Sequence, residues 1–231
     1  MKFIKLTLNA PLQSWGERAR WDVRDTASMP TKSGLIGILG ACMAYPRGDE
    51  RLCDLSRMLR VAVRADRPGT VMIDFHTVQG TGGILLNAVG TRRSSGDTII
   101  TPKQYLQDAR FSVFFWGDTA ILEKCEYALL HPQWTTFLGR RSCVPAVPLL
   151  PVWIEAGTVD EAVCQILPEE SNYCEKLVQV QIEMEKGEEA RIGEQVMIRK
   201  DEVISADKNI YQTRKVRVSR LSKEGEHYVF Q

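Results

Sequence analysis

Residues 59–75 read Leu-Arg-Val-Ala-Val-Arg-Ala-Asp-Arg-Pro-Gly-Thr-Val-Met-Ile-Asp-Phe. Val61, Val63 and Ala65 recur at every second position, and Val71, Ile73 and Phe75 do the same, which is the period of a strand with one apolar face. Asp66-Arg67-Pro68-Gly69 separates the two runs and places Pro68 at i+1 and Gly69 at i+2 of a turn. The segment is therefore expected to be a β-hairpin.

Upstream, Ile4, Leu6 and Leu8 alternate with Lys5 and Thr7 and predict a half-buried strand. Pro30-Thr31-Lys32-Ser33 opens a helix, with Thr31 or Ser33 as N-cap and Leu35, Leu39, Cys42 and Met43 on one stripe; residues 49–59 suit a second, short helix. Downstream, Gly80, Gly82, Gly83, Gly90, Ser94, Ser95 and Gly96 break every period, so residues 80–101 cannot form a core and are expected to project. Phe111, Val113 and Phe115 resume strand alternation, and Ile121, Leu122, Cys125, Ala128 and Leu129 form a helical stripe ending near His131-Pro132. Alternation returns at Val178, Val180, Ile182 and Met184 and at Val216 and Val218, with an acidic turn at 183–194. The order β, α, β, β, insert, β, α predicts an α+β fold: a ferredoxin-like, RRM-like antiparallel sheet with helices on one face. The expected division is a body over residues 1–150 and a small, mainly β extension over 151–231.

The chain has 231 residues, 44% of them apolar, with 30 Lys+Arg and 29 Asp+Glu. That composition fits a compact chain with a real core, not a disordered or collagen-like one. The net charge of +1 conceals a basic, acidic, basic order. Residues 1–150 hold 19 basic and 13 acidic residues, 151–198 hold 3 and 11, and 199–231 hold 8 and 5. Fourteen of the first 19 cations are arginines, whose planar guanidinium forks onto phosphate and stacks on bases. The first part is thus suited to a polyanion, which leaves the acidic segment to face solvent or basic protein neighbours.

Six cysteines are scattered with no CxxC or Cys/His spacing, so neither a zinc site nor another cofactor is expected. Cys42 and Cys125 fall on apolar helix faces as reduced, hydrophobe-like residues, which points to a reducing, cytoplasmic compartment. The start of the chain alternates and has no signal-peptide core, and the apolar run at residues 34–44 is too short to cross a bilayer.

Residues 10–33 form a long loop in which Arg18, Arg20 and Arg24 are interleaved with Trp15 and Trp21, a length that marks a functional loop or a disordered one. Pro30-Thr31-Lys32-Ser33-Gly34 offers N–H groups at a helix start, a hydroxyl and a cation; these suit a phosphate, and equally an ordinary capped helix. Thr26 and Thr31 stand where a Walker A loop requires glycine, which argues against nucleotide hydrolysis. Arg140-Arg141 after Gly139, and Arg92-Arg93 in the projecting insert, suit phosphate contacts or a solvated surface. His76, His131 and His227 have no partner at a spacing that implies acid–base work, and His76 is a sheet residue or an RNA contact.

Five separated segments carry a family resemblance: Pro11-Leu12-Gln13-Ser14-Trp15-Gly16, Pro30-Thr31-Lys32-Ser33-Gly34-Leu35-Ile36-Gly37, Asp74-Phe75-His76-Thr77-Val78, Tyr105-Leu106-Gln107-Asp108-Ala109 and Phe137-Leu138-Gly139-Arg140-Arg141-Ser142-Cys143. Over about residues 3–150 the chain resembles the CasD-type subunit family of the type I-E CRISPR Cascade complex. The resemblance implies a non-catalytic RNA-binding subunit in antiviral defence that caps the backbone filament. It would hold the 5′ handle of the CRISPR RNA and kink that RNA with a projecting thumb, here about residues 78–108. Its partners would be the CRISPR RNA, the backbone filament subunit and the large subunit, with target DNA reached indirectly and no membrane.

The implied RNA-binding residues are Gln13, Trp15, Arg18, Arg20 and Arg24 in the loop and Thr31, Lys32 and Ser33 at the helix start. On and beside the thumb they are His76, Arg92, Arg93, Thr101, Lys103 and Tyr105, and in the later loop Gly139, Arg140 and Arg141. No catalytic residue, metal or cofactor is implied. In type I-C relatives the equivalent subunit cuts precursor RNA with a Lys-His pair, and no adjacent Lys-His occurs here. The alternative is a metal-independent endoribonuclease built from Tyr105, Lys103 and His76.

Overall fold

The computed structural model describes residues 1–17, 23–79 and 98–231. Arg18, Arg20 and Trp21 of the long loop, and the insert tip with Arg92 and Arg93, lie outside the described residues. In chain order the elements are β1 (Lys2–Asn9), β2 (Leu12–Gln13), α1 (Lys32–Cys42), α2 (Arg51–Met58), β3 (Leu59–Arg67), β4 (Thr70–Gln79), β5 (Thr98–Gln107), β6 (Arg110–Gly117), α3 (Thr119–Leu130), β7 (Val152–Glu155), α4 (Val159–Cys164), β8 (Leu177–Glu183), β9 (Gln195–Ser205), β10 (Ile210–Glu224) and β11 (His227–Phe230). A 3₁₀ turn, Pro168–Tyr173, precedes β8.

Eight strands form one sheet in the order β11-β10-β8-β3-β6-β1-β7, with β9 added along β10. Every pairing in it is antiparallel. The sheet continues across residue 150, because β7 pairs with β1 and β8 pairs with β3.

Both faces of this sheet are covered. Ile4, Leu6, Val61, Val63, Val113 and Phe115 pack with Leu35, Leu39, Leu122 and Cys125 of α1 and α3. The alternate residues Phe3, Ala62, Phe114 and Trp116 pack with Ala162 and Val163 of α4 and with Val180 and Ile182. Helices on one face alone is thus corrected: α4 and the 3₁₀ turn cover the second face. Lys5 and Thr7, expected to face water, lie beneath that cover and bind the Glu170 carboxylate. The signal was present in β6, whose Val-Phe-Phe-Trp run is apolar on both faces.

The hairpin expected at residues 59–75 does not form. β3 and β4 are both strands, but β3 is flanked by β6 and β8 in the large sheet, while β4 pairs only with β5 in a second sheet of order β2-β5-β4. Gly69, at φ +72, turns the chain from one sheet into the other. A Cβ there would meet the Gln107 carbonyl and Ala109, so only glycine fits the corner. Alternation identified the strands; their edges were taken by partners distant in sequence.

α1 begins with Thr31 as N-cap, its side chain accepting from the Gly34 N–H. The helix is buried on most of its circumference, because β9 and β10 close over its start. The free cysteines include Cys42 and Cys125, both buried; burial pushes their thiols up to about 11 and about 12. Among the described residues no helix is long and apolar enough to cross a membrane.

Candidate functional site

A pocket of about 350 Å³ opens where three loops meet, at the low end of the ~300–1,000 Å³ typical of ligand sites. Its floor is Trp15. One wall is the helix start with Thr31, Ser33 and Gly34, and the rim carries Arg24, Asp25, Gly139, Arg140 and Tyr211.

The floor is built by groups that sequence reasoning assigned to RNA. Gln13 is fully buried; its amide donates to the carbonyls of Leu8 (3.3 Å) and Ala109 (2.7 Å), and its oxygen accepts from the Trp15 indole (3.2 Å). Trp15 is 1% exposed and lies against Gly34, where a Cβ would come within 3.0 Å of the ring. Gln13 thus links β1 and β2 to the turn before β6, and Trp15 seats α1 beneath the pocket. The Gln13 amide satisfies two buried backbone carbonyls, and its oxygen satisfies the buried Trp15 indole N–H.

Lys32, another of these residues, is paired within the fold. Its Nζ lies 2.7 Å from Glu183 and 3.4 Å from Glu202, its N–H donates to Asp201 at 2.7 Å, and it is 1% exposed. Burial alone would raise the Asp201 pKa; hydrogen bonds and charge from Arg214, with Arg199 and the Lys32 N–H, hold it below the usual carboxylate range. The Lys32 cation is taken up by carboxylates of β8 and β9. Thr31 is buried as the cap, and Ser33 beside it is the half-buried hydroxyl residue of the helix-start wall.

Gly139 and Arg140 hold the rim together. At φ +98, Gly139 lies so close to the Ser14 carbonyl that any Cβ would overlap it, so the glycine serves close approach of protein backbone. Arg140 donates to the carbonyls of Gln104 (2.7 Å), Arg24 (2.8 Å) and Asp25 (3.3 Å) and lies 4.7 Å over the Tyr105 ring. Tyr105 is consequently buried, with its hydroxyl 3.5 Å from that of Ser142. Arg24 and Arg141 remain exposed. Arg24 forms an isolated bridge with Lys103 of β5, which brings the loop beside the ribbon.

On the β4–β5 ribbon, His76 stands opposite Thr101, Asp74 opposite Lys103 and Met72 opposite Tyr105. These side chains share one face. The other face of β4 presents Val71, Ile73 and Phe75 to solvent. Tyr211 was missed: it comes from β10, and nothing in the alternation of the C-terminal strands marks the one that reaches the pocket.

The family described as CRISPR-associated protein (Cas_Cas5) matches residues 3–225. This chain belongs to the Cas5 family. The Cas5 chain is 34% identical over 178 residues to the CRISPR system Cascade subunit CasD of Escherichia coli (strain K12), covering 72% of this chain and 77% of that protein. Its fold matches a chain of a CRISPR RNA-guided surveillance complex at a TM-score of 0.75 and 34% identity, over 99% of this chain and 91% of the other. It also matches a solved Cas protein at a TM-score of 0.66 and 27% identity, over 96% and 95%. The Cas5 match extends through β8–β10, so the likeness continues past residue 150.

Proposed function

We propose that this Cas5 chain is a cytoplasmic, non-catalytic subunit of a Cascade surveillance complex in antiviral defence. It holds the 5′ handle of the CRISPR RNA at the Trp15 pocket, while the β4–β5 ribbon acts as the thumb that kinks the strand. The observation that carries the reading is the pocket rim. Within a Cas5 fold, Arg24 and Ser33 line a cleft walled by three loops; Lys103 is bridged to Arg24, and the exposed Arg141 follows the rim residue Arg140 in sequence. Single-stranded RNA is recognised through such phosphate contacts combined with exposed base edges and stacking. The body suits a ferredoxin-like assignment, because β3-β6-β1-β7 with helices after β1 and β6 is a split βαββαβ arrangement. β7 supplies its fourth strand.

Binding without cleavage is favoured by the ribbon register. Tyr105 and the position opposite His76 are four residues apart on β5, about 13 Å at ~3.3 Å per residue, so the two side chains do not converge on one phosphodiester. Tyr105 is also covered by Arg140. The CRISPR RNA, the backbone filament subunit and the large subunit are the proposed partners, with target DNA read by guide pairing and not by this chain. Incubating the full chain with repeat RNA in EDTA tests the assignment. Intact RNA in a retarded complex is expected, and discrete cleavage products would overturn it.

A further inference from the structure

Ser33 and Tyr211 line the Trp15 pocket and also a second cavity of about 120 Å³, whose other walls include Gly37, Arg47, Gly48 and Asn209. Ser33 and Gly37 are one helical turn apart on the same side of α1, and a Cβ added at Gly37 meets nothing within 4 Å. The helix surface between the cavities is therefore an open floor. Building on the RNA-binding reading above, we propose that the two cavities are one groove. The RNA strand crosses from the first to the second over Tyr211, with one base stacked on the ring and the adjoining phosphate beside Arg47.

The Tyr211 ring is suited to that role because it is held and half-exposed. It packs against the cluster of Cys53, Val203 and Ala206, which fixes its plane, and it lines both cavities. Its position depends on an irregular corner: Asn209 has φ +52, and the β9–β10 register shifts between Ile210 and Tyr211. The loop carrying Arg47 lies beside the same corner, since a Cβ added at Gly48 would come 3.6 Å from the Asp207 backbone. Arg47 itself is exposed and presents a guanidinium to the groove. The second cavity, at about 120 Å³ against about 350 Å³ for the first, suits a phosphate group more than a base. An aromatic platform followed by a cationic phosphate seat is the pattern by which proteins track single strands. The inference gives the β9–β10 corner a place in the RNA groove.

The test uses the full chain and a fluorescein-labelled single-stranded RNA of the repeat-derived 5′ handle, read by anisotropy. Tyr211→Ala is expected to weaken binding about 5- to 150-fold, the loss of one stacked base, whereas Tyr211→Phe keeps the ring and the affinity. Arg47→Glu is expected to weaken binding and flatten its salt dependence. If Tyr211→Ala and Arg47→Glu bind as the parent does while Arg141→Glu is weakened, the extended groove is wrong and the RNA reading stands. Should Arg141→Glu also be without effect, the RNA reading fails and the groove with it. Melting curves control for folding, and where Tyr211→Ala does not fold, the exposed Arg47 carries the test.

Discussion

Lys32 lies beneath Glu183 and Glu202 with its own N–H on Asp201, so its charge belongs to the fold. Lys32→Ala removes the nearest cation from the buried Glu183, leaving it the more distant Arg214 at 3.6 Å, and a loss of ~3–5 kcal/mol in urea unfolding is expected. Arg141, exposed on the neighbouring loop, makes the opposite case. Arg141→Ala is expected to change unfolding free energy by no more than ~0.5 kcal/mol while lowering affinity for handle RNA. Gly139→Ala forces a side chain into a φ of +98 against the Ser14 carbonyl, and a destabilisation of at least ~1–3 kcal/mol is expected in the same assay. The dipeptide Arg140-Arg141 thus divides its work. Arg140 ties together the loop ends through three carbonyls, and Arg141 is available to a ligand.

The β4–β5 ribbon separates positions that support folding from positions that do not. Phe75 is 72% exposed, so Phe75→Ser is expected to leave the thermal midpoint nearly unchanged, whereas Tyr105→Ala, across the same ribbon, removes a buried ring and costs ~3 kcal/mol or more. Differential scanning fluorimetry of the two variants checks the contrast. Most elements were readable locally, because Thr31 caps a periodic stripe and Val61, Val63, Val71 and Ile73 alternate. The pairing of β3 and β4 was not readable, since both strands bind partners contributed by residues 98–117 and 177–183. The site was legible as a set of loops but not in its orientations. The family resemblance implies a ligand role for Gln13, Trp15 and Lys32, while their burial follows from neighbours distant in sequence. Tyr211 reaches the pocket only through the register of β10 and carried no local signal.

For the whole molecule, the basic, acidic, basic distribution of charge is largely an internal pairing. Glu170 takes Lys5, Glu183 takes Lys32, and Asp160 and Glu194 take Arg217, so the acidic segment neutralises cations buried by the sheet. Glu170, Glu194 and Asp201 all titrate below their ordinary values, because neighbouring cations and hydrogen bonds outweigh the opposing effect of burial. Carboxylates depressed in the folded state stabilise it fully above the unfolded pKa values of about 4 and lose that contribution as pH falls through the folded ones. The urea midpoint is therefore expected to drop steeply below about pH 4, and Asp201→Asn to weaken that dependence. The exposed Arg24 and Arg141, with the half-buried Lys103, are the cations assigned to RNA. Titration of the full chain with handle RNA across a salt series tests that assignment most directly. The account predicts that log K falls linearly with log salt, at about −0.7 per phosphate neutralised, and that an Arg24→Glu/Arg141→Glu double variant binds more weakly with a shallower slope. Affinity independent of salt, or a double variant that matches the parent chain in affinity and slope, would contradict it.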